Sequence, residues 1–186
     1  VASLAVAWLN IDIDPALNPD LLLDLSAPLE LPLTLDSPVY GRVVLAADSI
    51  EEISAIDVLE HVPNLTRLMT NCLTLLREGG RFVIVVPYEL GLGAWQDPTH
   101  VRAFNENSWL YYTEWFWYLG WFEHRFNCDL IDIIPSELGR KMIDARVAQD
   151  ELLRTPRAID SMKVVLSKRR TTPEEKTSAP AYSNTL

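Results

Sequence analysis

Residues 8–14, Trp-Leu-Asn-Ile-Asp-Ile-Asp, alternate apolar Leu9, Ile11 and Ile13 with polar Asn10, Asp12 and Asp14 and then meet Pro15, which predicts a strand tipped with carboxylates. A second short apolar run spans Asp20 to Asp24. Pro28 and Pro32 keep the stretch after it extended or turning. Residues 42–47 and 53–58 read as two further strands separated by an acidic turn, Asp48 to Glu52. Leu65, Leu68, Met69, Cys72, Leu73, Leu75 and Leu76 follow helical spacing from Pro63 to Gly79-Gly80. The run Arg81 to Pro87 is nearly continuous in β-branched residues, as expected of a central strand covered on both faces. Strand, helix and strand in this order imply a right-handed crossover and a parallel sheet.

Residues 88–104 hold Gly91, Gly93 and Pro98 with little periodicity, so they predict a long loop leaving the carboxyl end of that central strand, where α/β sheets bind ligands. Asn105 is placed to cap a helix running to about Gly120. Nine of the seventeen aromatic residues fall within 109–122, too many for all to be core. Strands at about 125–134 and 159–167 flank a helical insert near 141–153. This gives one domain over 1–167 and a disordered tail over 168–186, where Lys, Arg, Thr, Ser, Pro and Glu dominate.

Composition narrows the class. With 186 residues, 48% apolar and 23% charged, the chain is of ordinary globular make-up. Its net charge of −10 argues against nucleic acid as a principal partner, since polyanions are gripped by Lys- and Arg-lined faces. The imbalance is local: residues 1–60 hold eleven carboxylates and Arg42 as the one cation. Cys72 and Cys128 match neither a zinc spacing nor a CxxC pair, which favours two buried thiols and a cytoplasmic location. No apolar run approaches the roughly 20 residues of a transmembrane segment.

The candidate chemistry lies at strand ends. A carboxylate such as Asp12 can accept hydrogen bonds from ribose hydroxyls, although an acid before a proline turn is also common punctuation. Asp24-Leu25 could frame an adenine ring. Asp57-Val58-Leu-Glu60-His61 sits where a strand enters a helix; the alternative is that Glu60 caps the helix and His61 is solvated. In the post-strand loop, Asp97, His100 and Arg102 suit orienting a polar substrate or taking a proton. Three scattered histidines give no metal spacing, so no metal site is expected.

Taken in order, Asn10-Ile-Asp-Ile-Asp-Pro15, Asp24-Leu25, Asp57-Val-Leu-Glu-His-Val62, Leu75 through Arg-Glu-Gly-Gly-Arg to Pro87, and Trp95-Gln-Asp-Pro-Thr-His-Val-Arg102 resemble the class I S-adenosylmethionine-dependent methyltransferases, in particular the type 11 methyltransferase domain family. The resemblance spans residues 8–134 and covers the last strands more loosely. It implies a Rossmann-like α/β sheet, mostly parallel with an antiparallel C-terminal strand, and S-adenosyl-L-methionine as cofactor. It further implies that Asp12 holds the ribose, Asp24 and Leu25 frame adenine, and Asp57, Val58 and His61 border the methionine portion. Trp95, Asp97, His100 and Arg102, with the aromatic stretch, would enclose a small-molecule acceptor, and His100, then His61, would serve as any general base.

The sequence departs from that family in one respect. No glycine precedes Asp12, and the first in the chain is Gly41. The family's first strand and glycine-rich loop are therefore expected to be missing, with Val1 to Ala7 too short to supply both. Two functional classes stay open: a methyltransferase, and a non-catalytic domain that binds a partner, or a second copy, through the aromatic helix 109–122. A nicotinamide-dependent dehydrogenase ranks below both, lacking GxGxxG.

Overall fold

The computed structural model describes residues 8–180. Val1 to Ala7, on which the expectation of a missing strand bears, lie outside the described residues. The main sheet has four strands: β5 (Ile50–Ile56), β6 (Leu76–Pro87), β7 (His124–Pro135) and β8 (Ile159–Arg170), in spatial order β5-β6-β8-β7. β5 and β6 are parallel, and β8 is antiparallel to both β6 and β7, so β5, β6 and β7 run one way and β8 the other. This is the mixed α/β sheet with an antiparallel C-terminal strand that the sequence leads one to expect. Among the described residues β5 has a ladder partner on one side only.

Four shorter strands precede it. β1 (Ile11–Asp12) pairs in parallel with β2 (Leu21–Leu22), and β3 (Leu33–Ser37) forms a hairpin with β4 (Gly41–Leu45). The predicted strand at 8–14 thus shrinks to two residues, because the turn at Asp14 to Leu17 begins at once. β3 has no counterpart in the sequence reading, where Pro28 and Pro32 masked it. It starts one residue past Pro32, clear of both rings.

Helix α1 (Leu65–Leu75) begins on the Asn64 side chain, which accepts the Arg67 N–H at 3.2 Å. Its apolar stripe packs against Phe82, Ile84 and Val86 of β6 and Met162, Val164 and Leu166 of β8, all essentially sealed from solvent. The alternate residues of β6, Val83 and Val85, are half-buried. The expectation of a strand covered fully on both faces is therefore corrected: one face of β6 is closed and the other partly open. A continuous β-branched run reports strand propensity and does not by itself guarantee a second layer.

Three further expectations change. The helix from Asn105 to Gly120 is broken into 3-10 turns at Glu106–Tyr112 and Phe116–Leu119, with Asn105 forming a capping box with Ser108. Bulky aromatic neighbours lower helix propensity there. The insert splits into α3 (Glu137–Asp144) and α4 (Gln149–Arg154), after α2 (Gly93–Gln96) in the preceding loop. The tail does not begin at 168: β8 continues to Arg170, and α5 (Pro173–Ser178) starts on a Thr172–Glu175 capping box. Charge there is paired. Lys168 is 3% exposed and donates to Asp48 Oδ1 at 2.7 Å and to the Leu76 carbonyl at 2.8 Å, while Glu175 binds Arg125 and Arg169. Composition reads such residues as solvated because it cannot see their partners.

The loop after β6 is pinned where it starts. The Tyr88 N–H donates to the Asp160 carbonyl, the Glu89 N–H to Phe104, and the Arg157 N–H to Leu90. Gly91 lies so close to β8 that a Cβ there would stand 2.7 Å from the Ile159 carbonyl oxygen and 2.9 Å from that of Asp160. Gly91→Ala is expected to cost about 1–3 kcal/mol by overpacking. Gly93→Ala, whose new methyl would meet only Pro87 side-chain carbons at 3.6 Å or beyond, should leave stability near that of the native chain. Thermal denaturation of the two variants checks this contrast.

Candidate functional site

Two segments meet at the carboxyl end of β5 and β6. β5 ends at Ile56, and Asp57 follows with φ of 52°, its N–H donating to the Val85 carbonyl at 2.9 Å. A left-handed backbone at a non-glycine residue is uncommon, and Asp is among the residues that tolerate it. It turns the chain into a 3-10 segment, Leu59–His61. The post-β6 loop then lies across this segment. The Val101 N–H donates to the Glu60 carbonyl at 2.9 Å, and Arg102 Nη2 donates to the carbonyls of Val62 and Pro63 at 2.6 and 2.8 Å.

The pairing brings together three groups that are distant in sequence. The rings of His61 and His100 meet edge to face with centroids 4.6 Å apart. Glu60 lies beside them, 1% exposed, and both its carboxylate oxygens are buried without a hydrogen-bond partner. Burial raises the Glu60 carboxyl pKa above its ordinary value and the Asp57 charge adds to this, against the pull of its own backbone N–H and of the two imidazoles. Glu60 is thus neither a solvated cap nor a paired ion, and two of the three histidines, His61 and His100, come together in space while His124 lies at the other end of the sheet.

Both rings are oriented by neighbours. Thr99 Oγ1 donates to Asp97 Oδ1 at 2.7 Å, and the Thr99 N–H donates to the same oxygen at 2.8 Å. These bonds hold Asp97 below the usual carboxylate range. Because the Thr99 proton is engaged with an acceptor-only group, its oxygen receives the N–H of His61 Nδ1, at 2.9 Å. His100 Nδ1 donates to the Ala94 carbonyl at 2.9 Å. Sequence reasoning missed Thr99 and left Glu60 open between a site residue and a helix cap. The signal was a carboxylate followed by histidine just after a strand.

The remaining candidates sit as follows. Asp12 closes β1, half-buried, with Oδ1 accepting the Asp14 N–H at 2.8 Å. Asp24 lies two residues past β2, exposed, and accepts both the N–H and the hydroxyl of Ser26 at 2.7 Å. Leu25 is half-buried against the core, and its carbonyl and that of Ala27 each receive Asn71 Nδ2 at 2.8 Å, which fastens this loop to α1. Val58 and Trp95 are exposed, the latter on α2. In the aromatic stretch, Trp109, Tyr112, Phe116 and Trp121 are core, whereas Tyr111, Trp115 and Phe122 face solvent. A cavity of about 310 Å³ opens at the opposite, amino end of the sheet, lined by Asp48, Thr70, Trp121, His124 and Lys168 among others, and contains none of the candidates. Cys72 is buried, its thiol pushed up to about 12 by desolvation, and Cys128 is half-buried; both are free thiols. No helix among the described residues is long and apolar enough to cross a membrane.

No family model matches this chain, and no curated protein resembles it in sequence. Among solved structures, similar chains include a SAM-dependent methyltransferase from Archaeoglobus fulgidus, at 16% identity over 65% of this chain and 60% of that one, TM-score 0.44. An S-adenosylmethionine-dependent methyltransferase from Mesorhizobium loti matches at 15% identity over 68% and 64%, TM-score 0.41. The [4+2]-cyclase SpnF matches at 12% identity over 65% and 50%, TM-score 0.42. The chain spans about half to two thirds of the length of these structures.

The raised Glu60 pKa has a signed consequence. The unfolded carboxyl ionises near its ordinary value of 4.5 while the folded one resists, so Glu60 weakens the fold progressively as pH rises above that value. Glu60→Gln should therefore melt above the native chain at pH 7, with the gap closing as pH is lowered towards 4. Melting curves across that range provide the check.

Proposed function

We propose that this chain acts as a class I S-adenosylmethionine-dependent methyltransferase on a small-molecule acceptor, in the cytoplasm. The observation that carries this reading is the position of three acids. Asp12 closes parallel strand β1, Asp24 follows its partner β2, and Asp57 follows β5, in a chain whose main sheet ends on an antiparallel C-terminal strand. Carboxyl ends of parallel strands are where nucleotide ligands bind in open α/β sheets.

Asp12 Oδ2 makes no hydrogen bond among the described residues and would accept a ribose hydroxyl, while Asp24 and Leu25 frame the base. Asp57, Val58 and His61 would border the methionine portion. The cofactor supplies a sulfonium methyl that is already activated, so the protein's part is to align the acceptor and exclude water. Trp95, Asp97 and His100 face that task from the loop, Arg102 fixes the loop in place, and His100, with His61 behind it, would take a proton where the acceptor has one to lose. The exposure of Tyr111, Trp115 and Phe122 favours a second reading, a non-catalytic domain that uses these three aromatics to bind a protein.

Calorimetry with S-adenosylhomocysteine separates the two. Saturable binding is expected, and Asp12→Ala should weaken it about 10- to 100-fold through loss of a charge-assisted hydrogen bond. Binding unchanged in Asp12→Ala would reject the ribose assignment. No binding, either by this chain or by one extended with the codons upstream of Val1, would reject the methyltransferase reading.

A further inference from the structure

We propose that Glu60, His61 and His100 form a binding site for a divalent first-row transition-metal ion, zinc being the natural probe. One ring nitrogen of each histidine and one carboxylate oxygen of Glu60 lie within 4.8 Å of one another. A tetrahedral ion with bonds of roughly 2.0–2.2 Å would draw these atoms to about 3.4 Å apart. Two imidazoles and a carboxylate are a donor set for such ions, and a site with three protein ligands leaves a position open.

Proximity alone would be weak support, but two further observations point the same way. The first is Glu60. Both its oxygens are sealed from solvent and neither has a hydrogen-bond partner. A buried polar group left unsatisfied is costly, and a cation bound beside it removes the cost. The second is how the rings are held. His61 engages Nδ1 with Thr99, which is itself tied to Asp97, and His100 engages Nδ1 with the Ala94 carbonyl. In each ring Nε2 is the nitrogen left for a cation. Imidazole ligands are commonly oriented in this way, through the other ring N–H to a carbonyl or to a hydrogen-bonded carboxylate system.

The site is assembled from two segments, the turn after β5 and the loop after β6. The Val101–Glu60 and Arg102–Val62/Pro63 hydrogen bonds fix it through backbone carbonyls, leaving the ligand side chains unengaged by them. An ion on His100 and the proton-accepting role given above to that residue exclude each other at any one moment. His61 is also assigned above to the methionine portion, so metal binding is read by itself, in protein free of S-adenosylhomocysteine, and its failure is distinguishable from failure of the cofactor reading.

The test is titration of Zn²⁺ into chelator-treated, desalted protein by calorimetry, with Co²⁺ as a spectroscopic probe. One ion per chain is expected, with the visible d–d absorption of tetrahedral Co²⁺. Glu60→Gln, His61→Ala and His100→Ala should each weaken Zn²⁺ binding at least tenfold. His124→Ala, which removes the third histidine at the far end of the sheet, should leave it unchanged. Glu60→Gln keeps the side-chain shape, and circular dichroism confirms the fold of each variant. Absence of saturable one-to-one binding by the native chain would overturn the proposal. So would native affinity in both histidine variants, loss of binding in His124→Ala, or a Co²⁺ spectrum without tetrahedral character.

Discussion

The candidate site depends on one contact between two loops. Val101 and Arg102 reach across from the segment after β6 and bond to the backbone of Glu60, Val62 and Pro63. Without those bonds, His61 and His100 belong to unrelated parts of the chain. With them, a buried carboxyl and two imidazoles occupy one small volume. Arg102 suits this task because its guanidinium can serve two carbonyls at once, which a lysine ammonium does with less geometric definition. Read from the sequence, that guanidinium looks available to a substrate; in the fold it is a brace.

The major elements were legible because their patterns were strong. The apolar stripe of α1 and the Arg81–Pro87 run mark a helix and a strand, and both are found there. What escaped was governed by partners. β3 has an ordinary alternating pattern, hidden by two nearby prolines, and it is secured by pairing with β4. Lys168 and Arg169 read as tail charge, yet one is buried on Asp48 and Leu76 and the other is tied to Glu175. The aromatic stretch had the right cap at Asn105 and the wrong continuation, since local propensity could not report that bulky neighbours would favour short 3-10 turns.

The site was legible in outline and obscure in its centre. The positions of Asp12, Asp24, Asp57, Asp97 and His100 relative to strand ends follow from reading where each strand stops. Glu60 was obscure because a carboxylate after a strand is usually a cap, and only burial separates the two cases. Thr99 was obscure for a different reason. Its role is relational: it converts the charge on Asp97 into an orientation for His61. Asn71, placed on a helix among apolar residues, likewise matters for the two loop carbonyls it holds.

The place of β8 has a consequence in time as well as in space. Arg81 is paired with Ser167, and His124 with Arg170, so the strand that joins β6 to β7 follows both of them along the chain. A nascent chain can form α1 and the β3–β4 hairpin while still tethered to the ribosome, but it cannot close its main sheet until residue 170 has cleared the exit tunnel. Until then, apolar edges of β6 and β7 stay unpaired, and such non-local closure is slow. The interval before β8 arrives is thus when those edges are most open to mispairing.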